Sequence, residues 1–340
     1  MNYKEFLIKA KKVLETIEES KKKSYVQYYI FDKDLGWKLN KNSKHNSLPY
    51  SSDSQGNRKI NNKKSQKGKK KIVIIGDSMV HGDEVSDTQT WCYFLSQKIK
   101  KKFNVINLGV SGYGNDQAFL RFKKYIKKEK VKIAIFCFNS GNELRNVNVQ
   151  RLFLNNKGGF IYLKPRYELK NNKIFLIRPP KQKTNDYYSF LKSNETQTHL
   201  KNYDYFYPNI FKKILRSLFE KISFNSSYNY YLIFKKKKIL QLTYEIFKLF
   251  FSLCRKEKII PIILFLPKLE GSFKNDDNLI YLKNKIENIK IKNLYPKEIL
   301  LNNNGEVVKK YFCKKNHYSA YGGKVLAETI YNYIKKNNYY

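Results

Sequence analysis

From about Lys71 onward, apolar residues fall into short unbroken runs separated by stretches in which they recur at helical spacing. The run Ile72-Val73-Ile74-Ile75 predicts a strand buried on both faces. Trp91, Phe94, Leu95 and Ile99 then recur every three to four residues with lysines on the other side, which predicts a helix over about 90–102. A strand at 104–108, a helix at about 115–129 and a strand at 131–138 follow. The order is βαβαβ, which implies a parallel sheet. After Asn142 the rhythm fails until a helix at about 238–255 leads into the apolar segment Ile259–Pro267, read as another buried strand. A helix at about 277–287, a strand at about 291–294 and a closing helix from Tyr321 to Ile334 complete the pattern.

Upstream, Phe6, Ala10, Val13, Leu14 and Ile17 mark an amphipathic helix within residues 1 to about 24. The segment from Asn42 to Lys70 is rich in Ser, Asn, Gly and Lys and reads as an extended, partly mobile connection. The expected organisation is therefore a lead-in over 1–70 and a main domain over 71–340. An insertion rich in Tyr, Phe and Lys occupies about 150–236. Its aromatics, among them Tyr187, Tyr188, Tyr203, Tyr205, Phe206 and Tyr207, read as core or as a cap, and aromatics also stack on sugar rings.

Composition changes this picture less than its extremes suggest. The formal charge is +40, but only eight of the 68 basic residues are arginine. With Asn, Ile, Tyr and Phe also heavily used, the skew follows AT-rich codons rather than selection for phosphate contacts, which favour the arginine fork. Lysine clusters at 63–71, 100–102 and 235–238 read as solvated faces, with a basic groove for nucleic acid or anionic glycans as the alternative. No specific nucleic-acid partner is expected. Cys92, Cys137, Cys254 and Cys313 form no CxxC pair, fit neither a zinc site nor a disulfide framework, and point to a reducing, cytoplasmic setting. No secretory signal is visible, and the longest apolar stretch falls far short of the ~20 residues of a membrane span.

The candidate chemistry gathers where the first strand breaks into Gly76-Asp77-Ser78, which sets a hydroxyl at the carboxyl end of a buried strand. Serine is a poor nucleophile unless an imidazole takes its proton and donors hold the oxyanion. His317, in NHYSAYGGKV just before the last helix, supplies the imidazole. The backbone amides of Ser78 and Gly112 and the side-chain amide of Asn142 are the candidate oxyanion hole, and Asp77 is expected to support the loop through backbone amides. His81 reads either as lining the pocket or as solvated, and His45 and His199 as surface residues. Gly112-Tyr113-Gly114 is not a full GxGxxG, and Val80 stands where a GxSxG elbow needs glycine, so dinucleotide binding and an α/β-hydrolase elbow are both set aside.

In order and spacing, GDS at 76–78, Gly112, Asn142 and His317 resemble the SGNH (GDSL-type) hydrolase family. The likeness is greatest to a bacterial subgroup with a G-x-x-V-x-D-x-x-T-W-like stretch, here GDEVSDTQTW at 82–91, and a GV-x-GYG-x-DQ block, here GVSGYGNDQ at 109–117. The upstream DLGWKLNKN, with Gly36 and Trp37, also looks like that subgroup's lead-in. The resemblance implies a flavodoxin-like three-layer α/β/α sandwich with a mostly parallel sheet of about five strands. It further implies ester hydrolysis or acyl transfer without a metal or organic cofactor, in a family whose substrates include lipids, thioesters and acetylated sugars, with surface polysaccharide modification as a hint; the substrate expected here is a small or carbohydrate-linked acyl ester.

Two departures from the family pattern bear on mechanism. The family usually places an Asp two or three residues before the catalytic His, where this chain has Lys315 and Lys314. Two cations beside His317 make the imidazolium intermediate less favourable, and loss of the orienting carboxylate in a serine-protease triad lowers turnover by about 10,000-fold, with a backbone carbonyl as the alternative partner for the ring. The block around Asn142 reads SGNE, with Glu143 in place of the usual Asp. Glu143, Asp83 and Glu306 stand as candidates for a relocated carboxylate. The rival reading is an SGNH-fold protein impaired in catalysis and serving as a glycan- or partner-binding module.

Overall fold

The computed structural model describes residues 1–22, 26–60, 68–156, 159–183, 186–208, 227–267, 277–289, 291–296 and 308–339. Along the chain, helix α1 (Tyr3–Lys22) precedes two short paired strands, β1 (Tyr29–Asp32) and β2 (Gly36–Leu39). Strand β3 (Lys70–Ile75), the single turn α2 (Ser78–His81), helix α3 (Trp91–Ile99), strand β4 (Phe103–Asn107), helix α4 (Asn115–Ile126) and strand β5 (Ile133–Phe138) follow. Then come β6 (Arg166–Lys170), β7 (Lys173–Ile177), α5 (Tyr187–Lys192), α6 (Asn194–Tyr203) and the long α7 (Ser227–Lys256). Strand β8 (Ile260–Phe265), helix α8 (Asp277–Asn288), strand β9 (Asn293–Leu294) and helix α9 (Ala320–Lys336) close the chain.

Two compact units result, one of Met1–Tyr25, Phe31–Trp37 and Glu143–Glu245, the other of Val26–Ile30, Lys38–Asn142 and Ile246–Tyr340. The second holds a five-stranded parallel sheet in the order β4-β3-β5-β8-β9. Strand registers Ile72↔Ile133, Ile74↔Ile135 and Ile135↔Ile262 put alternate residues on one face. There they form one core with Trp91, Leu95 and Ile99 of α3 and Leu326, Ala327 and Ile330 of α9. On the opposite face, Phe136 meets Phe247 and Phe250 of α7 at 5.4 and 5.0 Å between ring centroids, and Phe122 of α4 meets Phe250 at 5.4 Å. The unit is therefore a three-layer α/β/α sandwich. Because β3 lies between β4 and β5, the chain reverses direction across the sheet at β3, the point at which open parallel sheets place their ligands, outside the carboxyl ends of the strands.

The first unit has its own core, in which Phe6 and Ala10 of α1 pack with Leu163, Phe190, Leu191 and Leu200. Two of its features depart from the sequence expectation. Strands β6 and β7 form a hairpin inside the segment whose short elements the sequence does not place, turned by Asn171 and Asn172 at φ 49° and 56°. Asn tolerates this left-handed pair better than most residues, so the Asn-Asn loop was a usable signal. Helix α7 begins at Ser227, eleven residues before the predicted start, since no Gly or Pro interrupts it.

The connection before β3 is not loose over the residues described. Ser51, Ser52, Asn57 and Arg58 are buried, and Arg58 donates from Nε to His81 O at 3.0 Å and from Nη2 to Val85 O at 3.0 Å, with Asp87 as its ion-pair partner. Polar side chains do here what apolar ones usually do, which is why composition read as mobile. Cys92, Cys137 and Cys254 are buried free thiols. Among the described residues, no helix is long and apolar enough to cross a membrane.

Candidate active site

Strand β3 ends at Ile75, and Gly76-Asp77 turn the chain into α2 with Ser78 at its first position. Asp77, 2% exposed, accepts from Met79 N–H at 3.0 Å through Oδ1 and from Asn139 Nδ2 at 3.0 Å through Oδ2. One carboxylate thus caps the turn and ties the end of β3 to the end of β5. Trp91 Nε1 donates to Met79 O at 2.9 Å and Asn107 Nδ2 to Val80 O at 2.7 Å, so the turn is held from the α3 and β4 sides as well. Gly109 is required by closeness: a Cβ there would stand 2.3 Å from His81 N.

Ser78 Oγ lies 2.9 Å from His317 Nε2. The histidine rides on a tight loop closed by the Phe312–Tyr318 bridge and by Cys313 N–H donating to His317 O at 2.7 Å. Its other ring nitrogen, Nδ1, is 2.8 Å from Glu84 Oε2. The Glu84 carboxylate also accepts from the Lys315 backbone N–H, at 3.0 and 3.2 Å. The His317 and Glu84 side chains are 16% and 17% exposed, enough shielding to strengthen their pairing while leaving an approach to the serine.

Glu84 therefore occupies the place for which Asp83, Glu143 and Glu306 were the candidates. Glu306 lies outside the described residues, and Asp83 bonds Ser111 instead, at 2.6 and 2.8 Å. Lys315, a cation where the family pattern has a carboxylate, contributes its backbone N–H to one. Glu84 also has φ +73°, a left-handed conformation costing a non-glycine residue about 1–2 kcal/mol. The carboxylate's bonds to the histidine loop hold the residue in that strained region. No spacing rule marks Glu84. The available signal was the missing acid before His317 combined with an acid six residues beyond the serine.

Gly112, at φ +81°, lies in the loop after β4, which Leu108 N–H to Ile74 O (2.8 Å) and Val110 N–H to Gly76 O (3.3 Å) hold beside β3. Asn142, 1% exposed, follows β5, and its N–H donates to Asn139 O at 3.2 Å. Both residues thus stand at the carboxyl ends of the two strands that flank β3.

His81 is fully buried, so the solvated alternative is corrected. Its Nε2 is 2.8 Å from Tyr28 Oη and its ring lies edge-on to Tyr50 at 4.9 Å, and burial holds its pKa down against the pull of Asp83. His45 is half-buried beside Tyr28 and Tyr50. His199 is also not at the surface: 8% exposed on α6, it has its pKa lowered to about 4 by burial and then by Arg166. Among the described residues, no three His, Cys, Asp or Glu side chains converge as a metal site. A cavity in the first unit, lined by Phe31, Arg178, Tyr187 and Phe190 among others, contains none of the candidate residues.

No protein-family model matches the chain, and no curated protein matches it. Similar solved structures include a protein assigned to the lipolytic G-D-S-L family from Desulfitobacterium hafniense, with 14% identity, TM-score 0.41, and 77% of this chain and 98% of that one covered. A GDSL-like lipase from Bacteroides thetaiotaomicron matches at 13% identity and TM-score 0.36, covering 79% and 89% of the two chains. A psychrotrophic esterase from a Pseudoalteromonas species matches at 11% identity and TM-score 0.37, covering 78% and 97%.

Proposed function

We propose that the protein is a serine esterase or O-acyltransferase of the SGNH type, acting on a small or carbohydrate-linked acyl ester. The observation that carries this reading is the continuous chain Ser78 Oγ, His317 Nε2, His317 Nδ1, Glu84 Oε2, with steps of 2.9 Å and 2.8 Å across the ring. His317 stands within hydrogen-bond reach of Ser78 on one side and of Glu84 on the other, which supports a serine hydroxyl activated by a base that a carboxylate orients.

In the proposed reaction Ser78 Oγ attacks the acyl carbon while its proton passes to His317 Nε2. Glu84 holds Nδ1 as the donor, fixing the tautomer whose Nε2 lone pair faces the serine, and stabilises the imidazolium. The amides of Ser78 and Gly112 and the Asn142 side chain receive the oxyanion, and Asp77 acts only by fixing the turn. Collapse expels the alcohol, which takes the proton from Nε2 and leaves an acyl-serine. Water, or a hydroxyl of an acceptor sugar, then attacks the acyl carbon as His317 takes its proton; the bond to Ser78 Oγ breaks, Oγ recovers the proton from Nε2, and the acid or the new ester leaves. Removal of one oxyanion donor in such a site costs about 100- to 1,000-fold in rate.

The rival reading, a binding module that has lost catalysis, took its motive from the lysines before His317, and Glu84 removes that motive. The buried free thiols of Cys92, Cys137 and Cys254 suit a reducing compartment, and we place the protein in the cytoplasm on that ground. The test is hydrolysis of p-nitrophenyl esters of increasing acyl length by wild-type protein and by Ser78→Ala. Turnover that disappears in the variant supports the reading, and wild-type rates no higher than those of Ser78→Ala across the series refute it.

A further inference from the structure

Two consecutive pairs of residues, Asp83-Glu84 and Ser111-Gly112, lie side by side. Both Asp83 carboxylate oxygens are within hydrogen-bond distance of Ser111 Oγ, at 2.6 and 2.8 Å. Ser111 has one hydroxyl hydrogen, so it donates to Asp83 and accepts from Tyr29 Oη, which is 2.8 Å away. The Asp83 side chain is 18% exposed and lies 2.6 Å from His81 Nδ1, close enough for electrostatic attraction but without hydrogen-bond alignment. Burial opposes the charge on Asp83, but the imidazoles of His81 and His317 and the Ser111 hydroxyl outweigh it and hold the carboxyl below its ordinary range. The acceptor is thus anionic, and hydrogen bonds to an anion are the strong ones.

The residue after each partner has a positive φ, 73° at Glu84 and 81° at Gly112. Glycine adopts this conformation freely, but glutamate must be held in it. Asp83 N–H also donates to Ser78 O at 3.2 Å, so the residue before Glu84 is tied by its backbone to the serine turn and by its side chain to the loop of Gly112. We infer that Asp83 is a positioning residue which, through Ser111, sets the carboxylate that orients His317 and the Gly112 backbone in one step. It touches no reacting atom. The inference rests on the proposed acyl chemistry for its kinetic consequence, but the geometry it claims is measurable without turnover.

The experiment compares Asp83→Ala, Ser111→Ala, Ser111→Thr and the Asp83→Ala/Ser111→Ala double variant by kcat and KM on a p-nitrophenyl ester, and by the low-field proton resonance of His317 Nδ1–H. We expect each alanine variant to lose about 10- to 100-fold in kcat with KM within twofold, the double variant to be no worse than the poorer single, and Ser111→Thr to stay within threefold of wild type. The Nδ1 proton signal should be lost to solvent exchange in the alanine variants and retained in Ser111→Thr. An unchanged signal in a folded Asp83→Ala protein, or independent, multiplying losses in the double variant, overturns the inference. If the wild type has no turnover the acyl reading fails, while the resonance comparison still decides the positioning claim.

Discussion

Replacing Glu84 by Gln keeps the backbone, the volume and one carbonyl-like oxygen, and removes the charge that faces the imidazolium. The N···O separation of 2.8 Å places the two charge centres about 4 Å apart. At that distance and an effective dielectric of about 20, the attraction is ~4 kcal/mol. Since each 1.36 kcal/mol is about tenfold in rate, complete loss corresponds to ~1,000-fold. The amide dipole returns part of this, and partial exposure screens part of the original, so kcat/KM should fall about 100- to 1,000-fold, mostly in kcat. Initial rates on p-nitrophenyl acetate at neutral pH provide the assay, with circular dichroism to confirm folding. Glu84→Gly supplies the complementary arm. It relieves a left-handed strain of about 1–2 kcal/mol, adds roughly 0.5–1 kcal/mol of chain entropy to lose on folding, and forfeits two hydrogen bonds of about 1 kcal/mol each. Its melting temperature should therefore stay within a few degrees of wild type while its activity falls at least as far as that of Glu84→Gln. Activity of Glu84→Gln within threefold of wild type, alongside an inactive His317→Ala, would refute the assignment of the carboxylate.

Other expected outcomes come from packing and titration. Gly109→Ala forces a Cβ to within 2.3 Å of His81 N, so the β4 loop or the nucleophile turn must move. A stability loss of about 1–3 kcal/mol by urea denaturation, with reduced activity, is expected. Trp91→Phe removes the donor to Met79 O at 2.9 Å and leaves that carbonyl unsatisfied, costing about 1–3 kcal/mol in the same assay. His199 has a folded-state pKa of about 4 against an ordinary 6.5, so the unfolded chain binds its proton first on acidification. Its contribution is full above pH 6.5, declines as pH falls from about 6.5 towards 4, and is constant below. A stability-against-pH curve should therefore be flatter across that window in His199→Gln than in wild type.

The sheet was legible in the sequence because its strands are buried on both faces and therefore written as unbroken apolar runs. Ile72 to Ile75 and Ile133 to Phe138 are each wholly or almost wholly buried, and the predicted and observed limits differ by a residue or two. The meeting of Ser78 with His317 followed from topology, since Ser78 opens the turn after β3 and His317 lies on the loop before the last helix. Polar devices were less legible. Arg58 pins a segment whose composition reads as a linker, and Asn171-Asn172 turn a hairpin inside a stretch without apolar rhythm. Glu84 was missed because its role depends on a left-handed backbone and on a partner 233 residues away, neither of which leaves a local pattern. The lysines at 314 and 315 misled for a related reason: sequence displays their side chains, whereas the site uses the backbone N–H of one of them.

A fluorophosphonate probe offers the most direct measurement, because it reacts with a serine only where base and oxyanion donors already surround it. Intact-mass analysis and peptide mapping after incubation should show one adduct per chain, carried by Ser78 and formed far more slowly in His317→Ala. An unlabelled wild-type protein, or a label on any other residue, contradicts the account.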